Sequence, residues 1–339
     1  MKSFVVESPK LYGIIEKEIP QPTEEQVLIR VKSCSICASD FEVLYGLNEE
    51  EVVYPITPGH VWSGDVVAAG RKYKKFVGKR VTGNNLIPCK RCGPCRIGRF
   101  EICKNKKELG FSLDGAYAEF IILPGENVVV LPDNVGYETA SLTEPLAVSL
   151  HALNIAGKPK GSRTIIIGDG SIGLLALIIA RRFGFDNLIV AGHHQNRLQF
   201  AKKISGAETV NTKNASLSDA VQRVFGEKAD LIFEASGNCG AVSESLSLLE
   251  YGGTVCLLGN YRGGKVPFNP NDVMLHQQTI TGSVSYSQEE MEDAVRLFGE
   301  GLLNEIDIIT HVFNLEDFKQ AFETVEERRE NVIKVCFKI

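Results

Sequence analysis

The sequence predicts an α/β protein in two parts, one an all-β, barrel-like unit and the other a doubly wound parallel sheet. Three observations carry this. At 339 residues the chain is long for one core and ample for two. Its first third consists of short apolar segments broken by Gly and Pro, the texture of an all-β unit. From about residue 160 onward, apolar strands alternate with amphipathic stretches, as in a parallel sheet covered by helices.

The β segments of the first part are 27–33, 63–70, 78–83, 117–124 and 127–132. In the second part TIIIG is followed by a helix over 172–183, NLIVAG by a helix over 196–204, and DLIFEAS by a helix near 241–250, before the strand GTVCLLG. Helices over 289–298 and 315–325 and a closing strand IKVCFKI do not continue that alternation, so the tail is expected to return to the first part.

Composition narrows the function. Hydrophobic residues at 44% and charged residues at 23% are those of an ordinary globular protein. The longest apolar stretch, Leu174 to Ala180, is seven residues and ends at Arg181, whereas a bilayer needs roughly 20. The opening MKSFVVESPK has no apolar leader pattern, so a cytoplasmic protein with no membrane partner is expected. A net charge of −5 argues against a nucleic-acid partner. The one basic run, Arg71 to Arg80, reads as a solvated turn between strands.

Nine cysteines are present, and Cys89, Cys92, Cys95 and Cys103 crowd into a C-x2-C-x2-C-x7-C segment. Four thiolates on one short lobe can close a tetrahedral zinc shell with no open position, as a structural site requires. Cysteine-only ligation with two-residue gaps also suits an iron–sulfur cluster, so zinc is favoured but that alternative stays open.

A glycine fingerprint, Gly168-Asp169-Gly170-Ser171-Ile172-Gly173, follows TIIIG and opens a helix. In that setting Gly168 permits a tight turn, Gly170 lets backbone approach a pyrophosphate, and Gly173 lets helix and strand pack closely. With Ser171 and Ile172 these residues would seat the phosphates on a helix N-terminus. Ala235 and Ser236, and Leu258 and Gly259, close later strands at the carboxyl ends where a dinucleotide rests. The end of the second strand, where an acid ordinarily meets a free 2′-hydroxyl, is Gly192, followed by His193, His194 and Arg197. Gly192 removes a carboxylate and leaves room for a 2′-phosphate that the imidazoles and guanidinium could bind, so NADP is favoured over NAD.

A scattered set completes the pattern: Cys37, Ser39 and Asp40 in SICASD, His60 in PGHVWSG, and Glu144 in LTEPLAVSLHAL. With the cysteine lobe and the fingerprint, in this order along essentially the whole chain, they resemble the zinc-containing alcohol dehydrogenases of the medium-chain dehydrogenase/reductase superfamily. The resemblance implies a GroES-like β-barrel catalytic domain over 1–148 and 286–339, with a structural zinc lobe at 89–103, and a Rossmann domain over 149–285. It implies two zinc ions per chain. Cys37, His60 and Glu144 would hold the catalytic one, Ser39 would pass the substrate proton, and Asp40 would orient His60. Three protein ligands and an open position suit a catalytic zinc, whose histidine is ordinarily held through its other nitrogen. Lys334 matches a basic position that in relatives reaches the cofactor phosphates.

Two departures bear on this. Val61 replaces the Glu that follows the zinc histidine in polyol-dehydrogenase-like relatives, leaving Glu144 as the obvious third ligand, and Glu42 replaces a His at the outer end of a proton relay. Cys34, Cys239, Cys256 and Cys336 read as core thiols, His151, His276 and His311 as structural, and Trp62 as either pocket wall or core. The expected activity is reversible oxidation of a secondary alcohol to a ketone, with a sugar, polyol or cyclitol as first choice and a simple short-chain alcohol second. A homodimer or homotetramer is expected. The alternative is a zinc- and nucleotide-binding fold without catalysis, acting as a sensor or structural subunit. A zinc-ribbon nucleic-acid module is the weakest reading.

Overall fold

The computed structural model describes residues 1–47, 51–328 and 331–339, which divide into two units, Met1–Ala147 with Ser287–Ile339 and Val148–Tyr286. The first unit is built around the strand Gln26–Ser35, buried along most of its length. One of its edges carries Val61–Ala69 antiparallel. The other is shared: Phe120–Pro124 covers Gln26 to Arg30, and Lys334–Lys338 covers Ser33 to Ser35. The tail thus joins the sheet built on Gln26–Ser35. Arg80–Gly83, Val128–Val130 and Ile309–Asn314 complete seven strands.

Phe318 and Phe322, in the helix Phe318–Glu326, lie against Phe4, their ring centroids 4.8 and 5.5 Å from its own. Phe322 also meets Tyr117 and Phe337 edge-on. Fully burying such a ring stabilises by roughly 1.5–3 kcal/mol, which is what anchors the returning tail.

The second unit is a six-stranded parallel sheet. Its strands are Thr164–Ile167, Leu188–Gly192, Glu208–Asn211, Ala229–Glu234, Leu249–Leu257 and Thr279–Gly282. They lie in the order third, second, first, fourth, fifth, sixth, so chain direction across the sheet reverses beside the first strand. Thr164–Ile167 is buried throughout, as a strand covered on both faces must be. In the helix Ser171–Arg182 every residue from Gly173 to Ala180 is buried, which explains its unbroken apolar run. The expected fold class is therefore the observed one.

Some elements escape the sequence pattern. The hairpin Lys2–Ser8 with Leu11–Glu16, the helix Ala38–Tyr45 and the helix Leu217–Phe225 were not expected from periodicity. The helix expected to run to residue 250 stops at Leu248, because Leu249 already pairs with Ala229 in the sheet. Only Phe318–Glu326 of the 315–325 stretch is α-helix, preceded by a single 3-10 turn over Leu315–Asp317. The basic run at 71–80 opens with a 3-10 turn, Arg71–Phe76, between two strands, as expected of a solvated turn. No helix among the described residues is long and apolar enough to cross a membrane.

Candidate functional site

The four clustered cysteines meet. The sulfurs of Cys89, Cys92, Cys95 and Cys103 all lie within 4.8 Å of one another, the only such set of potential metal ligands among the described residues. The short helix Gly93–Arg96 turns Cys95 back toward Cys92, and the Cys89 amide donates to the Cys103 sulfur at 3.2 Å. Backbone N–H groups of Arg91 and Cys92 favour the thiolate of Cys89, pulled down to about 6, while burial pushes Cys95 up to about 12. Sulfurs crowded this closely, with amides aimed at them, fit a closed metal shell, the bound cation supplying the charge that lets every thiol ionise.

A second cluster gathers around Asp40 in the same unit. Gly59, at φ +96°, makes the turn that delivers His60, and a Cβ there would come within 2.7 Å of the Tyr117 ring. Cys37 caps the helix Ala38–Tyr45, which places Asp40 one turn on, where Oδ2 accepts the Cys37 amide at 2.7 Å and the Tyr117 hydroxyl at 2.7 Å. Oδ1 faces His60 Nδ1 at 3.6 Å, and both atoms are buried with no hydrogen-bond partner. A small tightening would join them, leaving Nε2 as the nitrogen able to bind a metal. On that side Ser39 Oγ lies 3.5 Å from His60 Nε2.

The charged groups of this cluster shift one another. Burial opposes ionisation of Cys37, yet the adjoining imidazole outweighs it and pulls the thiol down to about 6. His60 moves well above its usual range, the pull of Asp40 and Cys37 exceeding the cost of burial. Glu144, in the first turn of the helix Thr143–Ala156, keeps some surface, but its carboxyl is desolvated enough to be pushed up to about 7 despite the opposing charges of His60 and Lys334. A proton on His60 thus offsets charge where a divalent ion would do so more fully. Cys37, His60 and Glu144 are electrostatic neighbours, but their ligand atoms do not all lie within 4.8 Å of one another.

Tyr117 was missed by sequence reasoning, although a Tyr within an apolar strand pattern signals a hydroxyl that must find a partner. Burial pushes its hydroxyl well above the usual range, so it remains a donor to Asp40. Tyr117→Phe is expected to lower stability by about 1 kcal/mol through loss of one of the two hydrogen bonds that Asp40 Oδ2 accepts, read as a fall in melting temperature.

In the second unit the fingerprint makes the expected turn. Gly168 sits at φ +125°, where a Cβ would come within 2.8 Å of the Ala235 carbonyl carbon. Gly170 caps the helix Ser171–Arg182 with no side-chain hydrogen bond, and a Cβ on it would meet nothing within 4 Å. Open space in front of uncapped N–H groups of Ser171, Ile172 and Gly173 suits a pyrophosphate. Ser236, Leu258 and Gly259 are tied together by the fully buried Glu234, which sequence reasoning passed over, while the Ala235 amide donates to Ile167. The Glu234 carboxylate accepts from the Ser236 amide and hydroxyl, the Gly237 amide and the Tyr261 hydroxyl, while its carbonyl accepts the amides of Leu258 and Gly259.

The expectation at Gly192 needs correction. The space a side chain there would fill is occupied by Asp169, whose Cβ and Cγ would lie 2.6 and 2.7 Å from a Cβ on Gly192. The carboxylate missing from the second strand is therefore present, and it accepts from the amides of His193 and His194 and from the His194 ring.

The remaining candidates fall into place individually. Trp62 is buried, its indole N–H donating to Asn85 at 2.9 Å, so it is core rather than pocket wall. Cys34, Cys256 and Cys336 are buried as expected, Cys239 only partly. Glu42 is buried in its helix. Lys334 is 4% exposed, and its ammonium favours the ionised forms of Cys37 and Glu144.

Comparison with known proteins accords with this arrangement. Residues 23–133 match the alcohol dehydrogenase GroES-like domain, and residues 171–300 match the zinc-binding dehydrogenase family. The chain is 30% identical over 333 residues to an L-threonine 3-dehydrogenase of Pseudoalteromonas atlantica, covering 96% of each chain. It is 30% identical over 320 residues to a sorbitol dehydrogenase of Halalkalibacterium halodurans, covering 93% of this chain and 92% of the relative. Among solved structures, an alcohol dehydrogenase from E. coli CFT073 complexed with NADH superposes with a TM-score of 0.93 at 26% identity. A zinc-binding dehydrogenase from Sinorhizobium meliloti bound to NADP also gives 0.93, at 28% identity. Each superposition covers 100% of this chain and 99% of the other. With a four-cysteine lobe, a cysteine and histidine gathered on one carboxylate, and an open glycine cradle all in one chain, these likenesses show that the protein belongs to the zinc-dependent medium-chain dehydrogenase/reductase superfamily, whose cofactors are zinc and NAD(P).

Proposed function

We propose that this dehydrogenase interconverts a secondary alcohol and a ketone on a sugar, polyol or cyclitol, with a simple short-chain alcohol as the second choice of substrate. The observation that carries the reading is the Cys37–His60–Asp40 cluster with Glu144 beside it. Cys37, His60 and Glu144 would hold a catalytic zinc, and the four-cysteine lobe a structural one. Zinc there would supply a Lewis acid for the substrate oxygen, and the nicotinamide a hydride acceptor. Asp40 faces the His60 ring and would orient it once the two close to hydrogen-bond distance, and it accepts the amide of Cys37, the other ligand. Ser39, whose hydroxyl lies beside His60 Nε2, takes the substrate proton. Lys334 adds positive charge that favours the thiolate of Cys37 and partly opposes the upward shift of Glu144, and a contact with the cofactor phosphates belongs to the same reading.

The sorbitol and threonine dehydrogenases support a polar substrate bearing a secondary hydroxyl. A homodimer or homotetramer in the cytoplasm completes the proposal. Strand Thr279–Gly282 lies at the sheet edge with no further neighbour among the described residues, and Met274, Leu275 and Ile280 are exposed nearby in sequence.

The alternative, a retained fold without chemistry, draws on the ligand atoms of Cys37, His60 and Glu144 not all lying within 4.8 Å. Metal content and turnover separate the two. An enzyme should carry about two zinc per chain and reduce NAD(P) with members of a panel of sugars, polyols and alcohols, whereas about one zinc and no turnover would establish the alternative.

A further inference from the structure

In the second unit, the turn after the first strand reaches across to the end of the second. Asp169 occupies the middle position of Gly168-Asp169-Gly170, and its side chain lies over Gly192 at the residue where such sheets ordinarily present an acid to the ribose. Oδ2 accepts the amides of His193 and His194, each at 2.7 Å. Oδ1 lies 2.9 Å from His194 Nδ1 and 3.8 Å from Arg197 Nη1.

This geometry changes what the nearby basic side chains can do. His194 directs a ring nitrogen at Asp169, and the Arg197 guanidinium lies beside the same carboxylate, so both side chains are turned toward Asp169. A carboxylate offers about four lone-pair sites. The two amides and one imidazole nitrogen use three, leaving one on Oδ1 for a hydroxyl donor. A 2′-hydroxyl has the proton to donate. A 2′-phosphate has none at neutral pH and would bring about two negative charges against the carboxylate.

We propose that Asp169, donated by the glycine turn, is the acid that selects a dinucleotide with a free 2′-hydroxyl, so that this chain prefers NAD to NADP. The inference rests on the dehydrogenase reading and deepens it, naming the residue that sets cofactor specificity and reversing the preference that Gly192 alone suggests.

The test is direct binding of NADH and NADPH to the zinc-loaded full chain, followed by nicotinamide fluorescence or calorimetry, which does not depend on finding the substrate. The parent should bind NADH at least about tenfold more tightly than NADPH, the discrimination one charge-assisted hydrogen bond provides. Asp169→Asn, nearly isosteric, should weaken NADH binding about tenfold and leave NADPH unchanged or improved. Moving the acid back to the strand, with Asp169→Gly and Gly192→Asp together, should restore the NADH preference. A parent that prefers NADPH, or an Asn variant that weakens both dinucleotides equally, would overturn the proposal, the second result reducing Asp169 to a prop for the turn. A zinc-loaded parent that binds neither dinucleotide would instead remove the dehydrogenase reading, and this inference with it.

Discussion

Glu144→Ala is expected to lower bound zinc from about two atoms per chain to about one and to abolish alcohol oxidation. The reason is charge as much as ligation. Cys37 brings one negative charge and His60 none when metallated, so a dication held by those two alone would remain under-neutralised in a desolvated place. Glu144 is the nearby carboxyl able to balance it, and its own displacement up to about 7 shows how poorly that place tolerates an unpaired anion. A metal there and the ionised Glu144 stabilise each other. Elemental analysis beside a melting curve checks the result, because the four-cysteine lobe shares none of these ligands and should keep its ion and its stability. Full zinc and full turnover in the variant would remove Glu144 from the site and point to another third ligand.

Cys92→Ser should have the largest effect on stability, lowering the melting temperature by about 10 °C or more. Three sulfurs cannot close the shell, and the segment around them has little apolar packing to fall back on: Ile97, Phe100 and Ile102 are exposed, and only Cys95, Glu101 and Cys103 are well buried. Its order therefore depends on the metal. A strong chelator should reproduce the loss in the parent chain and add little in the variant. An unchanged melting temperature would mean the lobe holds its shape without an ion.

Much of this was legible because the relevant chemistry is local in sequence. The spacing of Cys89, Cys92, Cys95 and Cys103 is itself a ligand geometry, and a glycine turn between an apolar strand and a helix has few other uses. The alternation of strands and helices after residue 160 likewise announced the parallel sheet. What stayed hidden depends on contacts between distant residues. Tyr117 reaches Asp40 across 77 positions, and Tyr261 reaches Glu234 across 27. Asp169 is the instructive case, since the middle residue of a G-x-G turn is unconstrained by the pattern. Reading Gly192 by itself suggested an absence where the fold supplies a carboxylate from 23 residues earlier, Asp169.

The strand Lys334–Lys338 also bears on how the protein is made. Synthesis delivers residues 148–286 as a contiguous stretch, so that unit has all its strands while the chain is still growing. Met1–Ala147, although made earlier, must wait for the last residues to pair with Ser33–Ser35 and bring Phe337 into its core. The half translated first is completed only by a strand made after the second unit, and until that strand pairs, the edge at Ser33–Ser35 is open.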